Sequence, residues 1–229
     1  MKKIIALLAI ALAVQVRADV YNDATGDLDG APGDDFSGFT HLDINQVTIS
    51  NDLSNIYFAI TTVQNPINSP TDWGNYMIGI DSVAGGDTAA NGNGWARPIN
   101  MSAGMDYWIG SWVNTGGGAQ LWNYTGATWN GPVAATHSLG AGINITIPLA
   151  SLGLSVGNTF AFDVYSSGGG GGDSAVDALS SATPSITSWG GPFTTGAGAL
   201  QYTVVPEPST MALIGIAGAL LAARRMRRS

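Results

Sequence analysis

Five aspartates, Asp23, Asp27, Asp29, Asp34 and Asp35, crowd a glycine-rich stretch spanning 22–38. Calcium takes six to eight oxygen ligands, and carboxylates on flexible loops supply them, so these five are the candidate ligands of a Ca²⁺ ion. Their spacing is not that of an EF-hand loop, and the glutamate that closes such a loop is missing. A merely solvated acidic loop is the alternative. Asp173 and Asp177, after the glycine run 168–172, form a sparser set of the same kind. That run is not a phosphate loop, because no lysine follows it.

The second set is aromatic. Of the seven tryptophans, Trp73 and Trp95 stand in polar, glycine- or proline-flanked stretches, with Arg97 close behind, while Trp112 and Trp122 fall on alternating segments. Indole faces stack on the C–H faces of sugars, and amide, carboxylate and guanidinium groups hydrogen-bond the hydroxyls. Trp73, Trp95, Arg97, Trp112 and Trp122 are therefore candidate polysaccharide-binding residues. The competing use of a tryptophan is to fill a core.

Catalytic chemistry is poorly supplied. Glycoside hydrolysis needs two facing carboxylates, and no marked pair is evident. His41 or His137 could enter a Ser-His-Asp triad, but no nucleophile-elbow motif accompanies them. The absence of cysteine removes disulfides, thiolate zinc sites and thiol nucleophiles. The expectation is a protein that is not an enzyme, with a glycoside hydrolase as the remote alternative.

Charge is divided by position. The net charge is −8, yet Arg97 is the one lysine or arginine between 19 and 205, against fifteen aspartates from Asp19 to Asp177. Such a surface repels phosphate backbones, which argues against nucleic acid as a partner.

The segments that must position these residues read as short strands. Ile56, Phe58 and Ile60 share one face, as do Ile143, Ile145 and Ile147, and Phe160, Phe162 and Val164. Tyr76, Ile78 and Ile80 repeat the pattern, as do Tyr107, Ile109, Ser111 and Val113, leaving Trp108 and Trp112 on the opposite face. Segments 42–49 and 120–124 are further strands, with Trp122 and Tyr124 on one face. In 42–49 the phase slips between Ile44 and Val47, which predicts a bulge or turn. One helical turn is expected near 148–152. Short strands with one apolar face each must pair into packed sheets. The predicted fold is all-β, a single antiparallel β-sandwich of the two-sheet jelly-roll or immunoglobulin-like kind, spanning 19–205.

Both ends read as targeting segments. Lys2 and Lys3 precede an apolar run over 4–14, and Val16-Arg17-Ala18 offers compact residues before a cleavage point at Asp19. Residues 1–18 are thus a secretory signal helix, whose partners are the secretion machinery and signal peptidase. At the other end, Pro206-Glu207-Pro208 precedes an apolar run over 211–223 and then Arg224, Arg225, Arg227 and Arg228. Thirteen residues as a helix cover about 20 Å, short of the roughly 30 Å hydrocarbon core. Arginine snorkelling makes up part of that deficit, and the cluster stays on the cytoplasmic side. Segment 206–229 is read as a short transmembrane helix beside an extended, protease-accessible junction.

That tripartite tail resembles the PEP-CTERM sorting signal. The resemblance implies recognition by an exosortase, cleavage near Pro206, Glu207 and Pro208, transient residence in the inner membrane, and delivery to the cell surface or extracellular matrix of a Gram-negative bacterium. A second resemblance rests on strand order. Segments 47–52, 55–60 and 76–81 look like the opening strands of DOMON-like and family-nine carbohydrate-binding modules, and 143–152 with 160–167 like their closing strands. This implies a sugar-binding sandwich, or in some relatives a haem protein, although no residue context marks an axial Met/His pair. A purely structural or adhesive envelope component is the rival to sugar binding.

Overall fold

Alternating apolar residues become strands whose inner faces meet in one core. The computed structural model describes residues 18–28, 36–67, 71–182, 186, 188–196 and 198–206. In chain order the strands are β1 (Ala18–Asn22), β2 (Ile44–Asn51), β3 (Asn55–Thr62), β4 (Asn75–Asp81), β5 (Ile99–Met101), β6 (Tyr107–Trp112) and β7 (Gly118–Tyr124). They are followed by β8 (Trp129–Leu139), β9 (Ile143–Pro148), β10 (Thr159–Ser167), β11 (Asp177–Ala178), β12 (Phe193–Thr195) and β13 (Leu200–Thr203). The expected helical turn is a short 3₁₀ segment, Leu149–Leu152.

Eleven strands form one sheet in the order β1-β2-β3-β9-β8-β7-β6-β4-β10-β11, with β13 also paired to β10. Its named pairings are all antiparallel. The eleven-residue β8 turns the corner. Its first part pairs with β7, from Trp129↔Tyr124 to Ala135↔Ala119, and its last part with β9, from Thr136↔Thr146 to Leu139↔Ile143. The sheet thereby curls over itself into a β-sandwich. β5 and β12 form a separate parallel pair.

The principal core lies between the two halves. Val47, Ile49, Ile56, Phe58, Ile60, Ile143, Ile145 and Ile147 come from one half, and Tyr76, Ile78, Ile80, Ile109, Phe160, Phe162 and Val164 from the other; all are buried. Each such side chain contributes about 1.5–3 kcal/mol by leaving water. The phase slip in β2 is real: the register with β3 shifts between Ile44 and Gln46.

A second, smaller core lies on the outer face of β4, β6 and β10. Met77, Trp108 and Tyr165 point away from the first core and are covered by Ile99, Met101 and Met105. Trp108 does lie opposite the inward set of its strand, as its sequence phase predicts, but it is fully buried there.

β8 was not expected. Its sequence, WNGPVAATHSL, does not alternate, because much of it is exposed on both sides. Leu121 pairs with Val133 and Asn123 with Asn130, so Gly131 and Pro132 together oppose Trp122 in a bulge. Proline, which cannot donate to a ladder, is tolerated there.

β1 starts at Ala18, so the mature N-terminus expected at Asp19 falls within that strand. The signal helix predicted over 1–18 lies outside the described residues except for Ala18, and the tail helix lies wholly outside them. Among the described residues no helix is long and apolar enough to cross a membrane.

Candidate functional site

Three of the four candidate tryptophans meet on one surface, the outer face of β6 and β7. The register sets Trp108 opposite Trp122, Gly110 opposite Gln120 and Trp112 opposite Gly118. Both glycines have a packing reason. A Cβ on Gly110 would come within 2.1 Å of the Trp95 ring, and one on Gly118 within 2.3 Å of the Trp112 ring. Bare backbone therefore lets each indole lie against the sheet.

Along β7 the positions 118, 120 and 122 share this face, about 7 Å apart in turn. Trp112 covers the first, Trp95 sits over Gly110 beside the second, and Trp122 is the third. Each of the three is half-buried. Trp122 donates its ring N–H to Gln120 Oε1 at 3.0 Å. Farther along, Tyr124 and Trp129 pack at 5.6 Å between centroids, and the Trp129 ring N–H donates to Asp87 Oδ2 at 2.9 Å. The result is a row of partly exposed aromatic rings with amide and carboxylate groups between them.

Trp95 reaches this face on a loop that its own residues organise. Asn93, buried, accepts from the backbone N–H of Trp95 and Arg97 through Oδ1, each at 3.1 Å. Its amide donates to the carbonyls of Arg97 and Ile99, each at 2.8 Å. The indole then rests edge-on against Trp108, with centroids 6.1 Å apart.

Arg97 does not join the row as a surface donor. It is 4 % exposed, and its guanidinium donates to Ser167 Oγ at 2.7 Å and to the Asp173 carbonyl at 2.9 Å. Its Cζ lies 5.4 Å from the Trp95 ring centroid, a cation–π contact. Arg97 thus holds the Trp95 loop rather than facing a ligand.

Trp73 is elsewhere. It packs against the principal core with Phe39 at 5.1 Å, His41 at 5.2 Å and Trp189 at 5.7 Å between centroids. The Nε2 atoms of His41 and His137 are buried without a hydrogen-bond partner, and burial holds both imidazoles below their ordinary pKa.

Of the candidate calcium ligands, Asp23 and Asp27 converge, whereas Asp29, Asp34 and Asp35 lie outside the described residues. The structure adds two aspartates to that pair, Asp43 and Asp177. Asp177 is thereby separated in role from Asp173, whose carboxylate accepts from the backbone N–H of Gly170 at 2.8 Å. Asp43 carried no local signal, because it stands alone among apolar and amide residues at the start of β2.

The C-terminal end of the sandwich is anchored up to the sorting motif. After β13, Val204 donates its backbone N–H to the Asn158 carbonyl at 2.9 Å and accepts from Gly157 N–H at 2.8 Å. Pro206 is the first exposed residue beyond that anchorage, and Glu207 and Pro208 follow outside the described residues. Residues 204–228 match the family model described as the PEP-CTERM protein-sorting motif. The chain is accordingly an exported protein of the cell envelope, sorted and processed by an exosortase. No curated protein and no solved structure matches it. The resemblance to DOMON-like and family-nine modules therefore gains no support from these comparisons.

Proposed function

We propose that the exported sandwich is a non-enzymatic polysaccharide-binding module of the cell surface or extracellular matrix. The observation that carries this reading is the row formed by Trp112, Trp95 and Trp122 on one sheet face. Partly exposed rings spaced along one strand's face suit a linear chain of sugars, each ring offering an apolar face to one unit. Gln120 and Asp87 stand beside the rings and can hydrogen-bond hydroxyls. The acidic surface repels polyanions, so a neutral polysaccharide is the expected ligand.

The rival, a structural or adhesive envelope component without a glycan site, is favoured by one feature. All four candidate tryptophans are partly buried, and the Trp122 ring N–H is already bonded. Affinity electrophoresis of the exported protein through gels containing neutral polysaccharides separates the two. Retarded migration in at least one gel is expected. Unretarded migration in every gel, including one cast with the producing cell's own extracellular polysaccharide, contradicts sugar binding.

A further inference from the structure

We propose that Asp23, Asp27, Asp43 and Asp177 form a structural calcium site that ties the loop after β1 to the start of β2 and to β11. The inference is independent of sugar binding. One carboxylate oxygen from each of Asp23, Asp27 and Asp177 lies within 4.8 Å of the other two. Oxygens bound to one calcium at roughly 2.3–2.6 Å cannot stand farther apart than about twice that distance, so a single ion can reach all three. Asp43 adjoins them. Its Oδ2 accepts from the backbone N–H of Gly26 at 2.8 Å, and its charge acts on Asp23, Asp27 and Asp177.

Proximity of acids alone would not make a site, but the oxygens here are buried and unmatched. Asp27 is 9 % exposed, and among the described residues neither of its carboxylate oxygens has a hydrogen-bond partner on another residue. Asp43 is 3 % exposed, and its Oδ1 is likewise unpartnered, as is the buried Oδ2 of Asp23. Asp177 is held in place by the backbone N–H of Ile44 at 2.6 Å and of Ala178 at 2.8 Å, which leaves further lone pairs free. A buried carboxylate without donors is heavily penalised unless a cation or a proton meets it.

Among the described residues no protein cation does so. Arg97, the one lysine or arginine between 19 and 205, is committed to Ser167 and Asp173. Without a metal, burial and the charge of Asp27 push the Asp23 carboxyl up to about 8, and burial raises Asp27, Asp43 and Asp177 as well. A divalent cation satisfies the same oxygens and joins segments that are far apart in the chain. The donors are all carboxylate oxygens, and Asp27 has both of its own free for bidentate binding. That irregular, all-oxygen set suits calcium better than magnesium, which demands a near-octahedral shell and keeps its waters.

The test uses the purified full chain, stripped with EDTA and then titrated with CaCl₂. Calorimetry should count one ion per chain. At calcium a hundredfold above its Kd, the melting midpoint should rise by roughly 5–10 °C, and MgCl₂ at equal concentration should do far less. Asp43→Asn distinguishes a metal site from mere packing. In EDTA it should melt at or above the unmutated protein, because one buried carboxylate is gone, whereas in calcium it should melt below it. Equal midpoints with and without calcium overturn the proposal. So does an equal shift with MgCl₂, or a calcium shift that persists in full in both Asp43→Asn and Asp27→Asn.

Discussion

Asn51 and Val205 clasp each other: Val205 donates its backbone N–H to Asn51 Oδ1 at 3.0 Å, and the Asn51 amide returns a hydrogen bond to the Val205 carbonyl at 2.8 Å. The Tyr202 hydroxyl donates to the same Oδ1 at 2.7 Å. The clasp holds the last residue before Pro206, so the sandwich ends where the Pro-Glu-Pro triplet begins. Asn51→Ala removes the acceptor of the Tyr202 hydroxyl and of the Val205 N–H and should cost about 1–3 kcal/mol in denaturant unfolding. A change below about 0.5 kcal/mol would show that the clasp does not hold the end of the sheet.

Processing by the exosortase acts on the motif just beyond that clasp. Glu207→Ala should leave an unprocessed form in the membrane fraction, visible as a heavier band on immunoblots. Processing at the normal rate would contradict exosortase recognition of this motif.

The platform can be disturbed without deleting a ring. Gly110→Ala places a Cβ 2.1 Å from the Trp95 indole, so the ring must move off the sheet. Overpacking of this kind costs about 1–3 kcal/mol. Glycan affinity should fall together with stability, because the middle ring of the row is displaced. Unchanged retardation in affinity gels would place Trp95 outside the binding face.

Acidity should stabilise the fold through Asp163. Burial raises this carboxyl to about 6, against opposing hydrogen bonds from Ser180, Thr195 and Val164, and its charge bears on Asp23 and Tyr165. The folded state therefore holds a proton that the unfolded chain has released above the ordinary value of 3.8. Its contribution is fully present below pH 4 and is lost as pH rises through about 6, on the order of 3 kcal/mol in all. Asp163→Asn should flatten that part of the pH profile in denaturant melts. A profile unchanged between pH 4 and 7 would contradict the assignment.

The strands whose residues alternate were legible because one face of each had to be buried: Ile56-Phe58-Ile60 and Ile143-Ile145-Ile147 come out as paired neighbours, Ile56 opposite Ile147 and Phe58 opposite Ile145. Even the irregularity at Ile44 left its mark in the phase. β8 escaped, because an exposed corner strand needs no apolar face. The short β5, β11, β12 and β13 carry too few residues to show a period. Trp108 illustrates a different limit. Its outward phase was readable, but the cover made by Ile99, Met101 and Met105 arises only from the path of β5 and the loop after it.

The acidic cluster was half legible. Asp23 and Asp27 announced themselves by local crowding. Asp177 is 133 residues from Ile44, whose backbone it binds, and only the topology brings β11 beside β2. The burial of Arg97 was illegible for a related reason. Its partners Ser167 and Asp173 lie 70 and 76 residues away, so nothing near it in sequence shows that its guanidinium is already engaged.

Removal of one anchoring ring of a binding face costs about 2 kcal/mol, or roughly thirtyfold in Kd, but loss of affinity alone does not locate a site. Hydroxyl-radical footprinting read by mass spectrometry does, with each tryptophan serving as its own reporter. In the presence of a retained polysaccharide, Trp95, Trp112 and Trp122 should be protected from oxidation while Trp73 and Trp189 react as before. Protection of Trp73 and Trp189 instead, or of no tryptophan at all, would contradict the binding face proposed on β6 and β7.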